Sequence, residues 1–533
     1  MTIRTPIDSL SLEEAVGQLI CPTLFGANLL GQPYDEAGIL ADLERYKWGG
    51  YILHHGQAAP TKDRLATLQR ASRVPLLIAA DMEHGAGQQL DGLSVFPTAM
   101  AFGAAGDRHL VRDLGAWTAR EALSVGVNWI LAPVADVTNN PLNPIINIRS
   151  FGGRPEEVGE LVAAFVEGCQ GQGAIACAKH FPGHGDTSID SHSRLAMVDA
   201  DKARLDAIEF PPFRSAIRSD VASIMTAHLA LPGVDPVERP ATLSPLVMTE
   251  ILRGELGFEG LIVTDALVMG GITKTIDPIE AAIQAIAAGC DVLLMPPDPR
   301  GTFDAVLAAV RSGRLSESLV RAAAARVLKA KERLETAAAA PERSAAQVAE
   351  QAAEQAVTLA KGATAPVLPR ETLVLAVDDG VEPDRLITWA AAADRYGMTN
   401  LATVSPETSE AEWRQLAERA HQAGTVLLAV FSPIRIHKDR SLLADSLRQR
   451  LESLAKGQVT AVVSFSSPFL VGQFPGATWW VLAYGTRPVQ IEAAARALFE
   501  HRRFPGRLPV AIPKQLNPVD AKDGPTSRGP SFA

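Results

Sequence analysis

Eight short apolar runs, separated by stretches long enough for a helix, fill the chain up to about residue 300. They read "GQLICPTLFG" (17–26), "GGYILHH" (49–55), "PLLIAADMEHG" (75–85), "VNWILAPVADV" (127–137), "AIACAKHFPGHG" (174–185), "ASIMTAHLALPG" (222–233), "GLIVTDALVM" (260–269) and "DVLLMPP" (291–297). The runs are continuous rather than alternating, which is the pattern of strands buried on both faces. The intervening stretches, such as "DPIEAAIQAIAAGC", are amphipathic and stop near a glycine, as helices do. Eight strand–helix repeats predict a (β/α)8, TIM-like barrel, with a doubly wound open sheet as the competing arrangement. Polar residues favour the barrel: Asp81, Asp136, His180, His228 and Asp265 all close their runs at the C-terminal end. That rim is where barrels build active sites.

Residues 1–335 are therefore assigned to the barrel, and the Ala/Glu/Gln-rich segment 336–366 to a linker and helix. A second set of runs begins at "TLVLAV" (372–377) and ends at "WWVLAYG" (479–485), predicting a smaller α/β sandwich over 367–515. The polar tail 516–533 is expected to be disordered. The net charge of −10 and the lack of Lys/Arg runs argue against nucleic acid as a partner. No apolar run approaches the ~18 residues that span a bilayer, and Glu13 and Glu14 break up the N-terminal region where a signal peptide would need an apolar core. A cytoplasmic protein without a membrane partner is the expectation. Cys21, Cys169, Cys177 and Cys290 form no CxxC pair and read as reduced core thiols. The oligomeric state is not legible.

The densest chemistry lies in "CAKHFPGHGDTSIDSHSRL" (177–195). Its prolines and glycines make it a loop leaving the fifth run. Asp190 and His192 are two apart, so in extended backbone they point the same way. The carboxylate could fix the imidazole's tautomer and stabilise its charged form, while the other ring nitrogen exchanges a proton. Two other readings stay open: a solvated polar loop, or a metal site built from His180, His184, Asp186, Asp190 and His192. The softness of so glycine-rich a loop speaks against metal, and no second ligand cluster completes such a site. Asp265, at the end of the seventh run, faces the same rim and could attack an electrophilic carbon. It could equally be a helix cap.

Four long motifs carry a resemblance: "AKHFPGHGDTSIDSH", "MTAHLALPGVDPVERPATLS", "LRGELGFEGLIVTDALVMGGI" and "NIRSFGGRPEEV". Together they resemble glycoside hydrolase family 3, in its β-N-acetylglucosaminidase branch. The segment "ALFEHRRFPGRLPVAIP" extends the likeness into the second domain. The resemblance implies a retaining, exo-acting β-N-acetylglucosaminidase, with a small-molecule sugar substrate such as a muropeptide and no metal or organic cofactor. By analogy Asp265 is the nucleophile, and His192 held by Asp190 is the acid/base. Asp81, Arg149, Lys179 and His180 match the family's binders of sugar hydroxyls. Met225 and His228, in "MTAH", are placed at the pocket floor, with a core role for Met225 an equal alternative. One motif departs from the family: "DMEHG" has His84 where a glycine is usual, which alters the backbone near the sugar's outer edge. Retaining glycosidases usually pair two carboxyl groups. A neutral histidine base would repel an anionic acceptor less, so a phosphorylase is the alternative reading. A β-glucosidase and a silent sugar-binding protein are the others.

Overall fold

The apolar runs fold as strands whose two faces are both covered. The computed structural model describes residues 9–26, 35–334, 339–435, 438, 440–500, 502–514 and 516. The tail expectation for 516–533 therefore lies outside the described residues, apart from Leu516. The chain divides into two units.

The first unit holds strands β1 (Ile20–Cys21), β2 (Thr23–Phe25), β3 (Gly50–His54), β4 (Leu77–Ala80), β5 (Trp129–Ile130), β6 (Ile175–Phe181), β7 (Ser223–Thr226), β8 (Leu261–Val263) and β9 (Leu293–Leu294). From β2 to β8 each pairs in parallel with the next. β1 and β2 flank Pro22 and share one place in the ring. β9 pairs with β1, and a Val263–Val292 bridge joins it to β8. The ring is thus closed with eight places, as the eight runs predict. Its interior is apolar: Ile52, Leu77, Ala79, Trp129, Ile175, Cys177, Met225, Leu261 and Val263 pack in one cluster. Trp129 is accommodated because its indole N–H donates to Ser223 Oγ at 2.8 Å. All four cysteines are buried and unpaired as disulfides. Among the described residues no helix is long and apolar enough to cross a membrane.

The second unit has the sheet order β10 (Thr358–Lys361), β15 (Trp479–Leu482), β14 (Val459–Ser464), β13 (Thr425–Phe431), β11 (Leu373–Asp378) and β12 (Leu401–Val404). Alternate residues of β13 serve two cores: Val426, Leu428 and Val430 face one layer, and Leu427, Ala429 and Phe431 the other. This is why that run is apolar throughout. Two features differ from the sequence reading. β10 is an antiparallel edge strand inside the segment read as linker and helix; the helix Ala345–Ala356 precedes it. Residues 96–107 and 138–154, read as part of the barrel, group with the second unit, where Met100, Ala101, Ala104 and Ile148 complete its core.

One buried charge in the first unit has no forewarning in sequence. Lys331, in the helix Glu317–Glu332, is 7% exposed and donates to Gln18 Oε1 at 2.6 Å. Burial pushes its ammonium down to about 7. An unfolded lysine keeps its proton up to ~10.4, so between those values unfolding takes up a proton and stability rises with pH. Below pH ~7 the full penalty of a buried charge is present. Lys331→Met is therefore expected to raise the Tm by several degrees at pH 7 and to flatten the stability profile between pH 7 and 10. Thermal melts across that range check it; a profile identical to wild type would contradict it.

Candidate active site

The C-terminal ends of β4, β6, β7 and β8 and the loops that leave them bring most of the singled-out residues together. At the end of β8, Asp265 is partly exposed and accepts from the Ala266 backbone N–H at 2.8 Å. Burial works against its charge, but His180, His228 and His192, with the Ala266 N–H, outweigh that and hold the carboxyl below its usual range. Three histidines thus act electrostatically on one carboxylate.

Asp190 is 1% exposed and accepts twice from His192, from the backbone N–H at 2.9 Å and from Nδ1 at 2.7 Å. The short i, i+2 spacing makes both bonds possible at once, in a turn rather than the extended segment pictured from sequence. The loop is not left to find its own position. Gly270 N–H donates to His192 O and Gly271 N–H to Ser191 O, each at 3.0 Å. Those glycines follow Asp265 by five and six residues, so the backbone carrying the imidazole is stitched to the backbone carrying the carboxylate. Only glycine permits this approach. A Cβ on Gly270 would lie 2.6 Å from Ser193 O and 2.7 Å from His192 O. Gly270→Ala is expected to displace the His192 loop and lower kcat/KM by roughly 10- to 100-fold, with the far-UV spectrum unchanged. Activity within twofold of wild type would show that the stitch is not needed.

Lys179 is 2% exposed and bridges two carboxylates, Asp81 Oδ1 at 2.7 Å and Glu83 Oε1 at 2.8 Å. Asp81 remains about one-third exposed, while Glu83 is buried. The peptide bond between Lys179 and His180 is cis. His180 Nδ1 lies 2.7 Å from Asp136 Oδ2. Asp136 is fully buried and also accepts from the His184 backbone N–H at 2.7 Å. Burial opposes its ionisation, yet the charge and hydrogen bond of His180 and the hydrogen bond from the His184 backbone N–H lower its pKa.

His184, one of the candidate ligands for metal, is part of the loop's frame. Thr187 donates to His184 O, so its oxygen accepts from Nδ1 at 2.7 Å, and Nε2 sits 2.8 Å from Ser191 Oγ. Burial pushes this imidazole down to about 4, so it is neutral. Among the described residues no group of three or more His, Cys, Asp or Glu is arranged to hold a metal ion.

His228 is fully buried; Nε2–H donates to Ala266 O at 3.2 Å and Nδ1 lies 2.9 Å from Thr242 Oγ1. It braces the residue after Asp265. Met225 is 2% exposed and packs in the apolar barrel interior. Arg149 belongs to the second unit, where Nη1 donates to Ile145 O at 3.1 Å. Two residues were not assigned from sequence. Glu83 was signalled by its i, i+2 spacing from Asp81. Asp136 stands at the rim in sequence, but nothing there marks it as the partner of His180.

Residues 11–330 match the model of the glycosyl hydrolase family 3 N-terminal domain. The chain is similar to β-hexosaminidase A of Pseudoalteromonas piscicida, with 36% identity over 55% of this chain and 54% of that one. The chain thus spans about half of that relative's length. It is also 28% identical to a β-N-acetylglucosaminidase/β-glucosidase of Cellulomonas fimi, over 95% of each chain. Among solved structures, a glycoside hydrolase family 3 β-N-acetylglucosaminidase from Paenibacillus sp. str. FPU-7 superposes with a TM-score of 0.83 and 32% identity, covering 94% of this chain and 99% of that one.

Proposed function

The chain belongs to glycosyl hydrolase family 3, a family of glycoside hydrolases, and from that premise we propose that it is a retaining exo-β-N-acetylglucosaminidase. In this reading Asp265 attacks the anomeric carbon and forms a glycosyl-enzyme, while His192 protonates the departing oxygen. His192 then takes a proton from water, whose oxygen displaces Asp265 with a second inversion. With Nδ1 engaged by Asp190, the proton moves through Nε2, and the buried carboxylate stabilises the imidazolium that forms. The observation that supports the reading is the backbone stitch between the His192 loop and the segment after Asp265, which ties the two segments together.

Asp81, Lys179 and His180 bind the sugar hydroxyls through charged hydrogen bonds, which reject wrong epimers strongly. Met225 and His228 act from beneath, through packing and through the Ala266 carbonyl. The 2-acetamido preference rests on the names of the similar proteins. The reading takes β-GlcNAc-terminated glycosides as its substrates, with muropeptides as the natural class to test and the cytoplasm as the compartment. The ratio of kcat/KM on nitrophenyl β-GlcNAc to nitrophenyl β-glucoside tests the sugar. A ratio below one would move the assignment to β-glucosidase.

A phosphorylase is the second reading, favoured by one observation: the group held by Asp190 is an imidazole rather than a carboxylate, and as acid/base it would oppose an incoming phosphate less. Release of GlcNAc rather than GlcNAc-1-phosphate in phosphate buffer supports hydrolysis, and the reverse would overturn it. GlcNAc binding without turnover of any β-hexosaminide would mark a silent binding protein.

A further inference from the structure

We infer that His54 is a specificity-determining residue that hydrogen-bonds a hydroxyl on the C4–C6 edge of the sugar; this rests on the glycosidase reading above. His54 ends β3 on the same rim as Asp81. The parallel register of β3 with β4 pairs Gly50 with Leu77, Tyr51 with Ile78 and Ile52 with Ala79. Continued by two residues, it sets His54 beside Asp81. The electrostatics agree, since the Asp81 charge acts on the His54 ring.

The ring is held in place on its other side. Phe25, at the end of β2, lies 6.2 Å from it, centroid to centroid, at a tilt of 44°. Gly26 N–H donates to His54 O at 2.9 Å. Gln89 ties the neighbouring backbone together, with Oε1 accepting from His55 N–H at 3.1 Å and Nε2 donating to Asp81 O at 3.2 Å. Burial lowers the pKa of His54, favouring the neutral imidazole. Yet its Nε2 is buried and has no hydrogen-bond partner among the described residues. A buried ring nitrogen left unsatisfied is costly, and such groups in native structures ask for a missing partner. At the rim of a sugar site, a substrate hydroxyl is a partner of the right chemistry.

The ring closure says which edge. Asp265 follows the seventh strand place and Asp81 the third, so they stand across the eight-membered ring from each other. A pyranose with its anomeric carbon at Asp265 turns its C4–C6 edge towards Asp81, and His54 stands beside Asp81, one place round the ring. A group reading that edge distinguishes C4 epimers.

The test compares wild type with His54→Phe, which keeps a ring against Phe25 but removes both nitrogens, and His54→Gln, which keeps hydrogen-bonding capacity. kcat/KM is measured on phenyl β-GlcNAc and on its 4-deoxy and 6-deoxy counterparts. The expected result is a loss of about tenfold for His54→Phe on the parent donor, absent on one of the two deoxy donors, with partial recovery in His54→Gln. No loss, or an equal loss on all three donors, would overturn the inference. Failure of the glycosidase reading shows separately, as a wild type without turnover. In that event calorimetric binding of GlcNAc and its 4-deoxy and 6-deoxy analogues to the same three proteins decides the role of His54 in the same way. Thermal melts of both variants identify a folding defect, and the binding pattern of the variant that folds then decides.

Discussion

Asp265→Asn is expected to reduce turnover of aryl β-GlcNAc by at least about 10⁴-fold, which is ~5 kcal/mol or more of transition-state stabilisation. In the proposed mechanism the carboxylate makes the bond to carbon, and no other group described at this rim replaces it: Asp81 is taken by Lys179, Asp136 by His180 and Asp190 by His192. The amide keeps the shape and the Ala266 contact, so ground-state sugar binding should survive and the loss should fall on kcat. The wild-type carboxyl is held ionised by His180, His228 and His192 against the opposing effect of burial. It is therefore charged across the neutral range, as the proposed attack requires. Initial rates with nitrophenyl β-GlcNAc, with calorimetry for GlcNAc binding, check this. Residual activity within a hundredfold of wild type would remove Asp265 from the nucleophile's role.

His192→Ala should give a second large effect, and its size should depend on the leaving group. A sugar alcohol leaves poorly without a proton, so loss of the acid is expected to cost about 10²- to 10⁴-fold on a disaccharide. Dinitrophenolate leaves well unaided, so formation of the glycosyl-enzyme should be nearly unaffected with that donor. Its hydrolysis still needs a base. The intermediate should then accumulate, with a burst of phenolate and a fall in apparent KM together with kcat. Asp190→Asn tests the orienting group: it can still accept from Nδ1 but gives less support to the imidazolium, so it should show the same leaving-group trend at smaller amplitude. A plot of log kcat/KM against leaving-group pKa, steep for both variants and shallow for wild type, is the expected outcome. Parallel lines would mean that His192 only shapes the pocket.

Much of the fold, and the pairing within the 177–195 loop, is legible in the sequence. The barrel could be read because its strands are covered on both faces and so appear as unbroken apolar runs, even where, as at Leu293–Leu294, the paired stretch is very short. The Asp190–His192 pair could be read because two residues of separation confine its geometry. What lay beyond reach depends on contacts distant in sequence. Nothing in "AMAFGAA" says that Met100 and Ala104 pack beneath Leu373 and Leu375 rather than in the barrel. The hydrogen-bond partner of the buried Lys331 is a glutamine more than 300 positions away. Gly270 and Gly271 look like an ordinary helix start until the His192 loop is seen resting on them. His184 seemed available for metal because its partners Thr187 and Ser191 are weak signals in a polar loop.

The central claim is that Asp265 and His192 serve a single sugar from two sides, and the covalent intermediate tests it most directly. A 5-fluoro β-GlcNAc donor slows both steps by destabilising positive charge at the anomeric carbon, so the glycosyl-enzyme can be isolated and digested. Mass spectrometry is expected to find one sugar equivalent on the peptide containing "VTDAL", at Asp265. A label on any other residue, or complete turnover of the donor with inversion and no adduct, would contradict it.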